Sequence, residues 1–353
     1  MKVLFLNASL GSGGSERVMS ILANYFSENN INTHMILLRE KEKVYELDEK
    51  VVLHEIHHNK NNKILMLFER LRKVRRIIKE EKPDVIISFM WDINVFSIFA
   101  NVGFKSKLII SERAHPKMGT QNIMRTIAQK FLYIFADKIV FQTEQVKDYF
   151  RKRIVNKSVV ISNPIDIDIT NLVLKKEKSI VAVGRLVAQK NFSLLISAFR
   201  SVNSKHNDYV LNIFGEGIQR AKLEGLIKQY HLEDKVFLKG FSNDILEEMS
   251  KSSIYVSSSD FEGISNSMLE AMSIGLPSVC TDCPVGGASM AIQDGVNGLL
   301  VPVGDEEAIA NAINRLIEDD SLYDLISNEA KKVRETYSIK KIGNRWIELC
   351  KEK

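Results

Sequence analysis

The sequence predicts an α/β protein made of two doubly wound, parallel-sheet domains, and three observations carry that expectation. Its 353 residues exceed what one hydrophobic core ordinarily holds, so two domains of roughly 150 to 180 residues each are expected. A hydrophobic content of 45% with 26% charged residues is that of a folded chain and argues against disorder. Short apolar runs rich in β-branched residues alternate with longer helical stretches, and they do so twice along the chain. Continuous buried strands joined through helices of about ten or more residues need crossovers, which build parallel sheets.

In the first half the expected strands are KVLFLN at 2–7, THMILL at 33–38, DVIIS at 84–88, KLIIS at 107–111 and KIVF at 138–141. Helices are expected over 15–28, 61–82 and 121–135. In the second half SIVAVG, YVLNIF, KVFLKG, SIYVSS, PSVC and GLLVP alternate with helices near 191–203, 217–230, 243–251 and 265–275. The boundary falls near SNPID at 162–166, where Asn-Pro breaks regular structure directly after the strand SVVI. The domains so defined are 1–164 and 165–337, with 338–353 a final helix whose Ile339–Cys350 stretch crosses back to the first domain.

No apolar run reaches the roughly 18 residues that a membrane-spanning helix needs. Val85–Phe104 comes nearest, and Asp92 and Asn94 interrupt it. The apolar stretch of MKVLFLN is short for a signal peptide and reads as a buried first strand. Three cysteines give no disulfide framework and point to a reducing, cytoplasmic setting. Residues 1–165 hold 27 Lys+Arg against 17 Asp+Glu, a balance of +10, while the remainder holds 22 against 27, a balance of −5. A basic half suits nucleic acid, an anionic membrane surface or a lipid-phosphate acceptor.

The strongest constellation is SSSDFEGISNSMLEAMSIGLPSV at 257–279. A strand ends in serines, a loop carries Asp260, Glu262 and Gly263, and a helix follows with Glu270 inside it. Ligands of open α/β sheets bind beyond the carboxyl ends of strands, where this loop falls. Backbone N–H groups of Gly263 to Asn266 at the helix start make an anion site, and the two carboxylates bracket a ligand seated there. On spacing alone the alternative stands level: Glu262 and Ser265 cap the helix and Glu270 makes a salt bridge. A second element, VGRLVAQKNFSLLISAF at 183–199, again passes from strand to helix, with Arg185 and Lys190 flanking the loop. Such a cation pair neutralises a diphosphate leaving group as Mg²⁺ does elsewhere, unless both are simply solvated charges.

Two further strands end in glycine. FGEG at 214–217 permits close approach by a ligand, and NASLGSGGSERV at 7–18 places Gly11, Gly13 and Gly14 before a helix. The latter fits neither the dinucleotide fingerprint nor the P-loop, and a tight turn explains it as well as a ligand contact. QDGVNGLLVPVGD at 293–305 reads as a turn, a strand and a helix-capping Asp305.

Taken together, GGSERV, NPID, VGRL…KN, FGEG, EGISNSMLE and DGVNGLLVPVGD resemble glycosyltransferase family 4, the retaining enzymes of the GT-B fold, over essentially the whole chain. The resemblance is greatest to bacterial members that build capsule, O-antigen or lipid-linked glycans. It implies two Rossmann-like domains facing across a cleft, the first binding the acceptor and the second a nucleotide-sugar, with uracil the expected base. It further implies that Arg185 and Lys190 hold the diphosphate, Glu270 the ribose hydroxyls, and Glu262 the transferred sugar. Gly263, Ile264, Ser265, Asn266, Gly14, Gly215 and Phe241 complete the implied donor contacts. Transfer is expected to need no metal or other cofactor and to proceed by front-side attack, the leaving phosphate helping to deprotonate the acceptor. No nucleic-acid partner is expected.

In one place the sequence departs from the family. Many members carry a His after the fourth N-terminal strand, whereas SERAHP here puts Arg113 at that position and His115 two residues on. Both are assigned to the acceptor side. Three other signals are set aside. Asp166-Ile167-Asp168 matches D-x-D but follows the interdomain proline. Cys280 and Cys283 have C-x-x-C spacing without a second pair or a helix start. His54, His57 and His58 are read as surface residues without partners.

The segment NKILMLFERLRKVRRIIKEEK at 62–82 puts Ile64, Leu67, Phe68, Leu71, Val74 and Ile78 on one face, with Arg70, Arg72, Lys73, Arg75 and Arg76 around it. A core-packed helix and a membrane-surface contact both fit. With the basic stretch Met124–Lys138 it predicts peripheral association with the inner leaflet of the cell membrane. Two other functional readings compete with a transferase: a catalytically silent partner of the same fold, and an epimerase or phosphorylase.

Overall fold

The computed structural model describes residues 1–11, 13–39, 43–57, 62–113, 123–167, 172 and 174–352. His58, His115 and Asp168 lie outside these residues. Two units form, Met1–Asp166 with Tyr337–Lys353, and Ile167–Thr336.

The first unit has strands β1 (Lys2–Asn7), β2 (Asn32–Leu37), β3 (Val52–Glu55), β4 (Val85–Phe89), β5 (Lys107–Glu112), β6 (Lys138–Phe141) and β7 (Ser158–Val160). They lie in the order β3-β2-β1-β4-β5-β6-β7, every neighbouring pair parallel. Val3 pairs with Thr33 on one side and Val85 on the other, so the strand order reverses beside β1. Helix α1 (Gly14–Glu28) buries Val18, Met19, Leu22, Ala23 and Phe26, a stripe of helical period that sits on the sheet. Helix α2 (Lys63–Glu81) starts where the Asn62 carboxamide accepts from the Ile64 and Leu65 amides. It stops at Lys82, left-handed at φ 48°, directly before Pro83. The Ile339–Lys351 helix places Trp346 in this core, fully buried beside Phe89. Gly343 lets that helix meet α1, since a Cβ there would come within 2.3 Å of the Tyr25 ring.

The second unit has β8 (Ser179–Val183), β9 (Val210–Phe214), β10 (Val236–Gly240), β11 (Ile254–Ser257), β12 (Ser278–Thr281) and β13 (Leu299–Val301). Their order is β10-β9-β8-β11-β12-β13, again parallel throughout. Asp305 caps the Glu306–Glu318 helix, accepting from the Ala308 amide at 2.8 Å.

The apolar stretch 85–104 divides into β4 and helix α3 (Trp91–Asn101), and no described helix is long and apolar enough to cross a membrane. Three expectations change. The helix expected over 121–135 is instead α-helical at Ile123–Ile127, π-helical at Ala128–Leu132 and 3₁₀ at Tyr133–Phe135. Its cause is the buried Glu112, which accepts from Arg125 Nη2 at 3.3 Å, Gln129 Nε2 at 2.9 Å and Tyr133 OH at 2.7 Å. In an α-helix residues four apart drift about 40° per step, and a wide turn offsets that drift so that all three reach one carboxylate. His54, read as a partnerless surface residue, stacks on His34 with ring centroids 5.5 Å apart. Finally, the apolar face of α2 divides: Val74 and Ile78 are buried, while Ile64 and Phe68 are 66% and 65% exposed.

Candidate functional site

In the second unit the strand order reverses between β8 and β11. At such a switch point the loops after the two strands part, leaving a crevice at their carboxyl ends. The loop after β8 carries Gly184 to Asn191, and the loop after β11 carries Ser258 to Ser265.

Side chains and backbone join the two loops. Lys190 Nζ lies 2.6 Å from Glu262 Oε2, both largely but not wholly shielded from solvent. Ser259 Oγ donates to the same oxygen at 3.3 Å. Gln189 Nε2 donates to the Phe261 carbonyl at 2.9 Å, and Asn191 Nδ2 to Asp260 Oδ1 at 2.7 Å. Ser258 Oγ donates to the carbonyls of Lys190 and Asn191. Asn191 is left-handed at φ 45°, and its Oδ1 accepts from the Leu194 amide to start the Phe192–Lys205 helix. The cation and carboxylate are thus fixed by a hydrogen-bonded frame rather than by their attraction alone.

The structure separates the parts of the alternative that concern Ser265 and Glu262. Ser265 is the cap of the Asn266–Ser273 helix, its Oγ accepting from the Met268 amide, while Glu262 is turned away onto Lys190. Glu270 lies inside that helix at 5% exposure. Tyr255 OH and Ser265 Oγ both meet Ser267 Oγ, at 2.9 and 3.0 Å, which ties the helix start to β11.

Glycine sets the closeness of approach at two places. A Cβ on Gly287 would stand 1.8 Å from the Gly263 carbonyl oxygen, so only glycine lets that turn support the Gly263–Ile264 loop. Gly215 has φ 136°, and a Cβ there would be 2.0 Å from the Gly184 oxygen. Phe241 follows β10 and is half exposed. Arg185 is exposed, and among the described residues no hydrogen bond or ion pair holds its side chain. The expected Arg185–Lys190 pair is therefore one uncommitted cation and one cation held by Glu262. Sequence reasoning missed Gln189, Ser259 and Gly287. The run of three serines and the Gly286-Gly287 pair were their only signals.

Cys280 and Cys283 are buried, and burial raises both thiols, Cys283 to about 11. They stay protonated at neutral pH, which disfavours disulfide exchange.

In the first unit Gly14 opens α1 and is exposed. Ser15 Oγ donates to Glu16 Oε2 at 2.7 Å, and that carboxylate lies over Gly13 at the helix start. Arg113 follows β5. Its guanidinium stacks 3.9 Å above the Phe89 ring and donates to Asn163 Oδ1. Among the described residues its buried Nε and Nη2 have no hydrogen-bond partner, and burial lowers its pKa to about 9. Asp166, the described half of the D-x-D, is exposed, and partial desolvation raises its carboxyl above the usual range against the opposing pull of Arg17.

Two parallel six- and seven-stranded units with an Arg/Lys-and-carboxylate site at a switch point define a class: GT-B sugar-transfer enzymes. The family description Glycosyl transferases group 1 matches residues 165–333, and Glycosyltransferase Family 4 matches residues 12–169. A Campylobacter jejuni relative, an N-acetylgalactosamine-N,N'-diacetylbacillosaminyl-diphospho-undecaprenol 4-alpha-N-acetylgalactosaminyltransferase, is 31% identical over 95% of each chain. The amylovoran biosynthesis glycosyltransferase AmsD of Erwinia amylovora is 27% identical over 98% of each. Among solved structures, Anabaena HepE in complex with UDP and glucose superposes with TM-score 0.86, at 20% identity and full coverage of both chains. The chain belongs to glycosyltransferase family 4, and it is a hexosyltransferase.

Proposed function

We propose that this chain is a retaining glycosyltransferase that moves a hexose or N-acetylhexosamine from a UDP-sugar to a glycan or lipid-linked acceptor in bacterial surface polysaccharide synthesis. The observation that carries the reading is the Lys190–Glu262 pair at the β8/β11 switch point, framed by Gln189, Ser259 and Asn191. With donor bound, Lys190 exchanges its carboxylate partner for diphosphate oxygens, and Arg185 joins it. The charge of the leaving group is then neutralised by side chains, so no divalent ion is required. Glu262, released by that exchange, faces the transferred sugar. Glu270, Gly215 and Phe241 serve the nucleotide, and the amides of Gly263 to Asn266 serve the phosphate or sugar. Gly14 is assigned to a phosphate, and Arg113 and His115 to the acceptor. The choice of UDP draws support from Anabaena HepE, solved with UDP and with UDP-glucose. A lipid-linked acceptor draws support from the Campylobacter relative, whose name specifies a diphospho-undecaprenol substrate.

Peripheral binding to the inner leaflet completes the proposal. Ile64, Leu65, Leu67 and Phe68 on α2 are exposed, as are Phe131 and Phe135. The charge contribution is smaller than composition suggests. Lys73 pairs with Glu69, Arg76 with Glu80, and Arg75 donates to the carbonyls of Phe99, Ala100 and Val102 at the end of α3. The surface relies mainly on apolar insertion.

A panel of UDP-, GDP- and ADP-sugars tests the reaction. The expected result is hydrolysis of a UDP-sugar without acceptor, and a new α-linked glycoside with one. An isomeric donor as sole product indicates epimerisation and contradicts the proposal.

A further inference from the structure

The edge of the first unit carries a second cluster with metal-ligating chemistry. His34 on β2 and His54 on β3 share one face of the sheet. Register pairs His34 with Val52 and Ile36 with His54, and side chains two apart along a strand point the same way. Glu81, at the end of α2, approaches that face. His34 Nδ1 lies 3.2 Å from His54 Nε2 and 3.6 Å from Glu81 Oε2, and all three ligand atoms fall within 4.8 Å of one another. Zinc held at about 2.0 to 2.2 Å by tetrahedral nitrogen and oxygen ligands needs them about 3.3 to 3.5 Å apart.

The surroundings also set the tautomer. His34 Nε2 meets Asn32 Oδ1 at 3.1 Å, and a carboxamide oxygen only accepts, so that nitrogen carries the proton. The lone pair is then on Nδ1, aimed at His54 and Glu81. An outer oxygen fixing the far ring nitrogen is the arrangement that orients histidine ligands at metal centres. His34 is 4% exposed, so its ring is held in place, whereas His54 and Glu81 are partly exposed to solvent. Lys2 Nζ sits 2.9 Å from Glu81 Oε2, a monovalent cation where a divalent one would bind.

We infer that His34, His54 and Glu81 form a zinc site with water as the fourth ligand, joining the edge strand β3 to β2 and α2. It lies in the sheet edge and takes no part in sugar transfer. Imidazole and carboxylate together favour Zn²⁺ over Mg²⁺ or Ca²⁺.

The test uses the full-length chain stripped with chelator, dialysed against Zn²⁺ alone and assayed for bound metal and melting temperature. The expected result is one Zn²⁺ per chain and a raised melting temperature, both lost in His54→Ala and Glu81→Gln. These two positions carry the test because His34→Ala risks the fold. Asn32→Ala should weaken affinity about ten- to a hundredfold through the tautomer. Absence of bound zinc, the same zinc content in His54→Ala, or unchanged affinity in Asn32→Ala would each overturn the inference.

Discussion

Gly287 shows how far the candidate site depends on a residue that brings no side chain to it. Its neighbour is the Gly263 carbonyl oxygen, a backbone atom 1.8 Å from any added Cβ, so relief requires the Gly263–Asn266 loop to move. A displacement near 1 Å at a reacting centre costs about 10²-fold in rate. Gly287→Ala should therefore lower donor turnover by about 10²-fold and stability by about 1–3 kcal/mol. Assays of turnover and urea unfolding on the same preparation check both. Glu262, Glu270, Arg185 and Lys190 were singled out from strand-to-helix motifs together with the family resemblance, since spacing alone left a cap, a salt bridge and solvated charges open. Gln189, Ser259 and Gly287 were not: Gln189 acts between loops some seventy residues apart in sequence, Ser259 depends on how its own loop folds back onto Glu262, and Gly287 acts through an absence of side chain. The contact between Lys190 and Glu262 was equally hidden: spacing shows which charges lie at the strand ends, not which of them meet each other.

At the scale of elements, α2 is the informative helix. Its first two turns leave Ile64, Leu65, Leu67 and Phe68 in solvent, while Val74 and Ile78 near its end are buried. The apolar stripe was legible and the change of environment along it was not, because periodicity reports a face and not what covers it. Replacing Ile64 and Phe68 by Ser should abolish sedimentation with anionic vesicles, while changing stability within about ±0.5 kcal/mol. Since Lys73, Arg75 and Arg76 are engaged within the protein, added salt should weaken wild-type binding only in part. Unchanged sedimentation of the double variant would place the membrane contact elsewhere. The segment 123–135 makes a related point. Its apolar content predicts a helix, but a buried carboxylate, Glu112, decides which kind of turn that helix takes. Strand β3 escaped notice because its four residues are half-exposed and mixed in polarity.

For the whole molecule, the parallel α/β plan follows from alternation alone, and both sheet orders agree with it. The terminal segment is where chain order and unit order part. Tyr337–Lys353 belongs to the first unit, where Trp346 is fully buried beside Phe89 and the Leu349 and Glu352 carbonyls accept from Lys107 Nζ. Removing so large a buried ring costs roughly 3–5 kcal/mol. Trp346→Ala should lower amide-exchange protection of β1 and β4 while leaving β8 and β11 as in wild type, a comparison that resolves the units where one melting curve would not.

The most direct test of the donor site is steady-state turnover of a UDP-sugar by Lys190→Ala and Glu262→Ala beside wild type. Each should lose at least ~10²-fold in kcat, because Lys190 acts on the charge that develops as the diphosphate leaves and Glu262 on the sugar being transferred. Wild-type rates in both variants would contradict the assignment of the β8/β11 switch point as the place of transfer.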